Sequence, residues 1–153
     1  MRYALVSLLF SLSAAACSGD AEEHDAQAQE ELEDDFKGCP ADVPVFSPGL
    51  QVEDAERKIT LISAQPTEPE RYENDWVVEV IPPEAVIVRG QTFMPIHGHD
   101  GRVEPIVKPM STPGQFAIER LNFTMRGPWE VRLWLSSAAA TEERLVFQVC
   151  VAK

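Results

Sequence analysis

Trp129-Glu130-Val131-Arg132-Leu133-Trp134-Leu135 is the stretch on which the fold class turns. Side chains of an extended chain alternate between two faces. Trp129, Val131, Leu133 and Leu135 therefore share an apolar face, and Glu130, Arg132 and Trp134 occupy the other. A period of two sustained over this length is the mark of a strand buried on one side. Gly127-Pro128 just before it reads as a tight turn, and the small residues 136–141 just after it read as another.

The same alternation recurs outward from this stretch. Leu145, Phe147, Val149 and Val151 form the inward face of a closing strand, with Cys150 on its opposite side. Upstream, Phe116 and Ile118 alternate, and so do Leu121, Phe123 and Met125, but the two sets are offset by an odd number of residues. A β-bulge near Glu119-Arg120, which adds one residue to the strand, returns both sets to one face. Residues 84–93 are rich in β-branched side chains (Val86, Ile87, Val88, Thr92) and read as a strand; residues 102–108 read as a short extended piece ended by Pro109. Trp76, Val78 and Val80 alternate with Val77, Glu79 and Ile81 until Pro82-Pro83 stops them, and Ile59 and Leu61 oppose Thr60 and Ile62. Residues 39–50, broken by Pro40, Pro44 and Pro48, suit an extended lead-in or an edge strand. About seven short strands with turn signals roughly every ten residues, and no helical period, predict an all-β fold, an antiparallel β-sandwich of immunoglobulin-like type.

The N-terminal residues carry different information. Arg2, an apolar run over residues 3–12 and small residues leading into Cys17 form a secretory signal. The run is shorter than the about 20 residues a spanning helix needs. Cys17 directly after Ala14-Ala15-Ala16 resembles a bacterial lipoprotein processing site, although Ala14 stands where leucine is usual. The signal is then residues 1–16, and a lipidated Cys17 tethers the protein to a membrane of the cell envelope, the outer one if the source has one, as Ser18 rather than aspartate suggests. Ordinary cleavage near Ala16, leaving a soluble exported protein with a free Cys17, is the alternative. Residues 18–35 hold nine carboxylates and no basic residue. Such a segment buries too little apolar surface to fold and suits an extended tether, so residues 17–37 are expected to be a linker and residues 38–153 the folded domain. Removing the charge of Arg2 and of those nine carboxylates from the net −12 leaves about −4 for the rest. A mildly acidic domain is a poor match for nucleic acid, whose phosphates need a basic face.

Export decides the cysteines as well. With Cys17 assigned to lipid, Cys39 and Cys150 remain, and an oxidising compartment predicts a disulfide between them.

Read together, Asn74-Asp75-Trp76, the Met-Pro-x-His-Gly-His of residues 94–99, Gly114 followed by Phe116, and residues 123–130 (Phe-Thr-Met-Arg-Gly-Pro-Trp-Glu) resemble the YtkA-like domain family. The resemblance covers residues 59–135. It implies a small exported or membrane-anchored immunoglobulin-like sandwich, often a lipoprotein, and implies little about activity. Tyr72-Glu73 and Pro82-Pro83-Glu84 depart from glycine-containing turns expected there.

Site chemistry concentrates at Met94-Pro95-Ile96-His97-Gly98-His99-Asp100-Gly101. His97 and His99 stand two residues apart, and in an extended backbone they project to one face. Met94 and Met110 can add thioether sulfur, and imidazole with thioether suits copper. Asp100 can serve as an oxygen ligand or hold an imidazole N–H. The competing reading makes Pro95, Gly98 and Gly101 turn formers whose histidines merely shape a loop. Met125, in register with Leu121 and Phe123, reads as core, and His24 has no partner in sequence. No nucleophile elbow, phosphate-cradling loop, His-Glu-x-x-His or Cys-x-x-Cys is present, and a His99/Glu104 acid–base pair lacks a nucleophile, so no enzyme is expected. The alternative to copper binding is an interaction module that docks on another envelope protein through Trp134 or a sheet edge.

Overall fold

The computed structural model describes residues 38–137 and 140–153. The signal, Cys17 and the acidic linker lie outside them. The described residues belong to one compact unit.

The described residues form nine strands: β1 (Gln51–Glu53), β2 (Lys58–Gln65), β3 (Tyr72–Ile81), β4 (Val86–Met94), β5 (His99–Asp100), β6 (Ile106–Pro109), β7 (Gln115–Phe123), β8 (Gly127–Ser137) and β9 (Ala140–Val151). They make two antiparallel sheets, ordered β1-β2-β3-β7-β6 and β5-β4-β8-β9. Without the short β1, the first reads as A-B-E-D and the second as C′-C-F-G of an immunoglobulin-like sandwich. The expected fold class is therefore the observed one. Two strands beyond the expected seven, β1 and β5, have three and two residues, too few to show an alternation.

The core lies between the sheets and is filled by the alternating residues: Ile59 and Leu61 of β2, Trp76, Val78 and Val80 of β3, Phe116, Ile118, Leu121 and Phe123 of β7, Trp129, Val131, Leu133 and Leu135 of β8, and Phe147 and Val149 of β9. Trp76 meets Phe147 edge-on at 5.7 Å across the layers, and Phe46 of the lead-in lies 5.2 Å from Trp76. The bulge falls where the odd offset requires it. Asn74 pairs with Leu121 and Trp76 with Ile118, so Glu119 and Arg120 together oppose the single residue Asp75. Arg120 takes φ +62° and its N–H donates to the Asp75 carboxylate at 2.8 Å. Without this extra residue, Leu121 and Phe123 would face solvent.

Gly127-Pro128 is not a turn but the start of β8, paired with Val151 and Cys150. A proline is tolerated there because β8 pairs with β4 only from Glu130 onward, so its missing N–H faces no neighbour on that side. Cys39 and Cys150 are joined, with Cα atoms 5.7 Å apart. The bond ties the lead-in to β9 rather than joining the two sheets as the antibody disulfide does.

Candidate functional site

The histidines sit on the β4–β5 hairpin. Its strands pair Phe93 with Asp100 and Met94 with His99, and residues 95–98 make the turn. Gly98, at φ +67°, closes the turn by donating its N–H to the Met94 carbonyl at 2.8 Å. Below the hairpin, the Gly101 N–H donates to the Thr92 carbonyl at 2.9 Å, and the Thr92 hydroxyl donates to the Asn122 carbonyl of β7 at 3.0 Å. The Arg102 N–H reaches the Asn122 side-chain oxygen at 3.3 Å. A Cβ on Gly101 would drive into the Thr92 hydroxyl and the Asn122 carbonyl, so only glycine fits where the chain leaves one sheet for the other. The hairpin base is thus pinned to both sheets.

The tip is built differently. His97 is exposed and His99 half-buried. Their rings lie nearly parallel, 26° apart, with centroids at 5.9 Å. His99 Nδ1 stands 2.9 Å from the Asp100 backbone carbonyl; the tautomer that donates this bond leaves Nε2 with its lone pair. It is the Asp100 carbonyl, not its carboxylate, that engages the ring. Residues directly opposite in an antiparallel pair share a face, with Cβ atoms about 4.5–5.5 Å apart. Met94, directly opposite His99, is 2% exposed, so its side chain lies on the inner face of the sheet. Trp129 lies on the buried face of β8, one residue before its pairing with β4 begins: its ring meets His99 edge-on at 5.8 Å and Phe123 at 5.5 Å, and its indole N–H donates to the Met125 carbonyl at 3.0 Å.

Of the residues singled out from sequence, the structure puts His97 beside His99 and pairs Met94 with His99 on one hairpin, with Met94 buried and His97 exposed, and leaves Met110 apart. Met110 follows β6, where its N–H donates to the Gln115 carbonyl, whereas the histidine hairpin is tied to Asn122. The interval from residue 115 to residue 122 is about 23 Å of strand at 3.3 Å per residue. Trp129 was recognisable in sequence as core, but not as the neighbour of His99. That contact depends on the register of three strands, and no local pattern carries it. Glu104 lines an open cleft of about 260 Å³ on the flank of β4, with Arg89, Gln91, Thr92, Asp100 and Pro105. Among the described residues no three His, Cys, Asp or Glu side chains converge in a way that could hold a metal ion. A metal held here would need the thioether, or a donor from another molecule, to complete its coordination.

The other residues that stand out in the sequence are occupied by the fold. The Asn74 side chain, 1% exposed, donates to the carbonyls of Glu70 and Tyr72 at 2.8 and 3.1 Å and accepts from the Glu70 N–H at 3.0 Å. It holds the β2–β3 loop. Asp75 holds the bulge and Trp76 fills the core. Gly114, at φ +79°, packs so closely on Val80 and Pro83 that a side chain has no room. Among the described residues, nothing gives His97 or the other ring nitrogen of His99 a comparable structural task.

Fold and site together define an immunoglobulin-like β-sandwich with a paired-histidine hairpin at one end. No protein-family model matches the chain, and no curated protein matches it.

Proposed function

We propose that this is an exported, lipid-anchored sandwich of YtkA-like type that binds copper at the β4–β5 hairpin. The observation that carries the reading is the stacking of His97 on His99 at 5.9 Å, on a tip whose base is fixed to both sheets and whose outer ring, His97, faces solvent. Two imidazoles are strong donors for copper among the available divalent metals, and the thioether of Met94, paired with His99 across the hairpin, suits its reduced form. A tip that exposes its ligands to solvent is accessible to a metal donor or acceptor, and Ile96 beside His97, 68% exposed, offers a partner an apolar contact. The docking role through Trp134 has less support. The Arg89 guanidinium covers that indole at 3.7 Å, which leaves it half-buried.

The test is a titration of the chain lacking its first 16 residues with Cu(I) and Cu(II) against competing chelators. Wild type is expected to bind one copper, and the His97→Ala/His99→Ala variant about a hundredfold more weakly or worse. Equal, weak binding by both would remove the copper reading. Anchoring is tested separately: Cys17→Ser is expected to move the protein from the membrane to the soluble fraction.

A further inference from the structure

We infer that the hairpin is a site for cuprous copper in particular, with Met94 as its sulfur donor and Trp129 as the wall that sets the preference for that oxidation state. This rests on the reading that His97 and His99 bind copper. Met94 pairs with His99 across the hairpin, and Trp129 shares the buried face of β8 with Val131, which pairs with Thr92 of β4. Met94 and Trp129 are 2% and 1% exposed, while His97 stands in solvent. A metal held by the imidazoles therefore has water on one flank and a thioether and an indole on the other.

Cu(II) prefers a tetragonal set of nitrogen and oxygen donors. The buried residues on the inner flank, Met94 and Trp129, offer a thioether and an indole in place of the nitrogen and oxygen donors that plane needs. Cu(I) accepts few and soft ligands, and two imidazoles with one thioether form such a set. Charge works in the same direction. The cost of removing an ion from water rises steeply with its charge, so a dication loses more than a monocation beside a buried apolar wall. Trp129 is held rigidly, by its N–H bond to the Met125 carbonyl and its edge contact with Phe123, so it keeps His99 in place and water out. It is a positioning residue here, not a ligand.

X-ray absorption on the anaerobic Cu(I)-loaded chain from Cys17 onward tests the inference without any variant. A sulfur scatterer beside nitrogen is expected in the first shell. In Met94→Leu, which nearly conserves volume, that sulfur is expected to vanish, with Cu(I) affinity down about tenfold or more and Cu(II) affinity changed by less than roughly twofold. Trp129→Phe is expected to narrow the ratio of Cu(I) to Cu(II) affinity while the folded fraction, followed by circular dichroism, is held equal. A wild-type shell of nitrogen and oxygen only, or a sulfur that survives Met94→Leu, would overturn the inference while histidine binding of copper stands. Failure of the wild type to retain either ion would remove both.

Discussion

Gly98 and Gly101 are three residues apart and do different work. Gly98 turns the chain at φ +67° into open space, so alanine there meets no atom and costs only the left-handed conformation, about 1 kcal/mol. Gly101 lies against the Thr92 hydroxyl and the Asn122 carbonyl, so Gly101→Ala must displace β4 from β7 and is expected to cost about 1–3 kcal/mol or more. His97→Ala is expected to change stability by less than about 0.5 kcal/mol, as for other exposed positions. Urea denaturation of the three variants measures all of this. Were His97→Ala as damaging as Gly101→Ala, the histidines would be loop staples and the case for a site would fall. At this scale the sequence was only partly legible. Pro95, Gly98 and Gly101 could be read as turn formers, and the histidine pair could be seen, because each is a local signal. That Gly101 is wedged between sheets, that Met94 rather than Met110 lies beside His99, and that Trp129 flanks it all follow from strand register, which alternation alone does not specify.

Single elements were read best where the apolar pattern had a defect. The odd offset between Ile118 and Leu121 located the β7 bulge because only an inserted residue reconciles two buried sets on one strand. A comparable irregularity in β4, where Ile87 pairs with Leu135 and Arg89 with Trp134, left no trace, since Val86, Val88 and Arg89 all tolerate solvent. The strands β1 and β5 were hidden by their shortness. The turn from β1 into β2 has its own chemistry: the Asp54 carboxylate accepts the backbone N–H groups of Glu56 and Arg57 at 2.8 and 2.7 Å. The Glu56 bond acts most strongly on the Asp54 carboxyl; burial, next in size, opposes it, and the backbone bond, charge and side-chain bond of Arg57 add to it, so the carboxyl stays below its ordinary 3.8. A carboxyl whose folded pKa is depressed contributes stability above its unfolded pKa and loses it as pH falls through the folded value. The stability gap between wild type and Asp54→Asn is therefore expected to be full at about pH 6 and to close progressively below about pH 4. Thermal melts across that range give the gap directly, and one that stays constant down to about pH 2.5 would show that the negative charge plays no part.

For the whole molecule the central question is what holds a lead-in of little regular structure to a sandwich that is complete without it. Residues 38–50 contribute no strand. Their anchors are Phe46 on Trp76, the bonds of Gly49 and Leu50 with Leu61, and the Cys39–Cys150 disulfide. At the other end of β9, Glu143 pairs with the Arg57 guanidinium, whose side chain is 4% exposed, so the closing strand is tied at both ends to segments from the start of the domain. The disulfide spans 111 residues. Closing so long a loop restricts the unfolded chain by about 4–5 kcal/mol in the chain-entropy model, a large share of the about 5–15 kcal/mol typical of a whole domain. The loss in Cys39→Ser/Cys150→Ser should also be uneven. With the covalent tie gone, Phe46 is held by a few hydrogen bonds and one ring contact, whereas the two sheets keep their ladders. Two effects are expected in guanidinium titrations of that variant: a lower midpoint of the main transition, and an earlier change in tryptophan emission as Phe46 leaves Trp76, before the β-sheet circular dichroism signal falls. A single coincident transition at the wild-type midpoint would mean that the lead-in is held by its packing and that the disulfide contributes little.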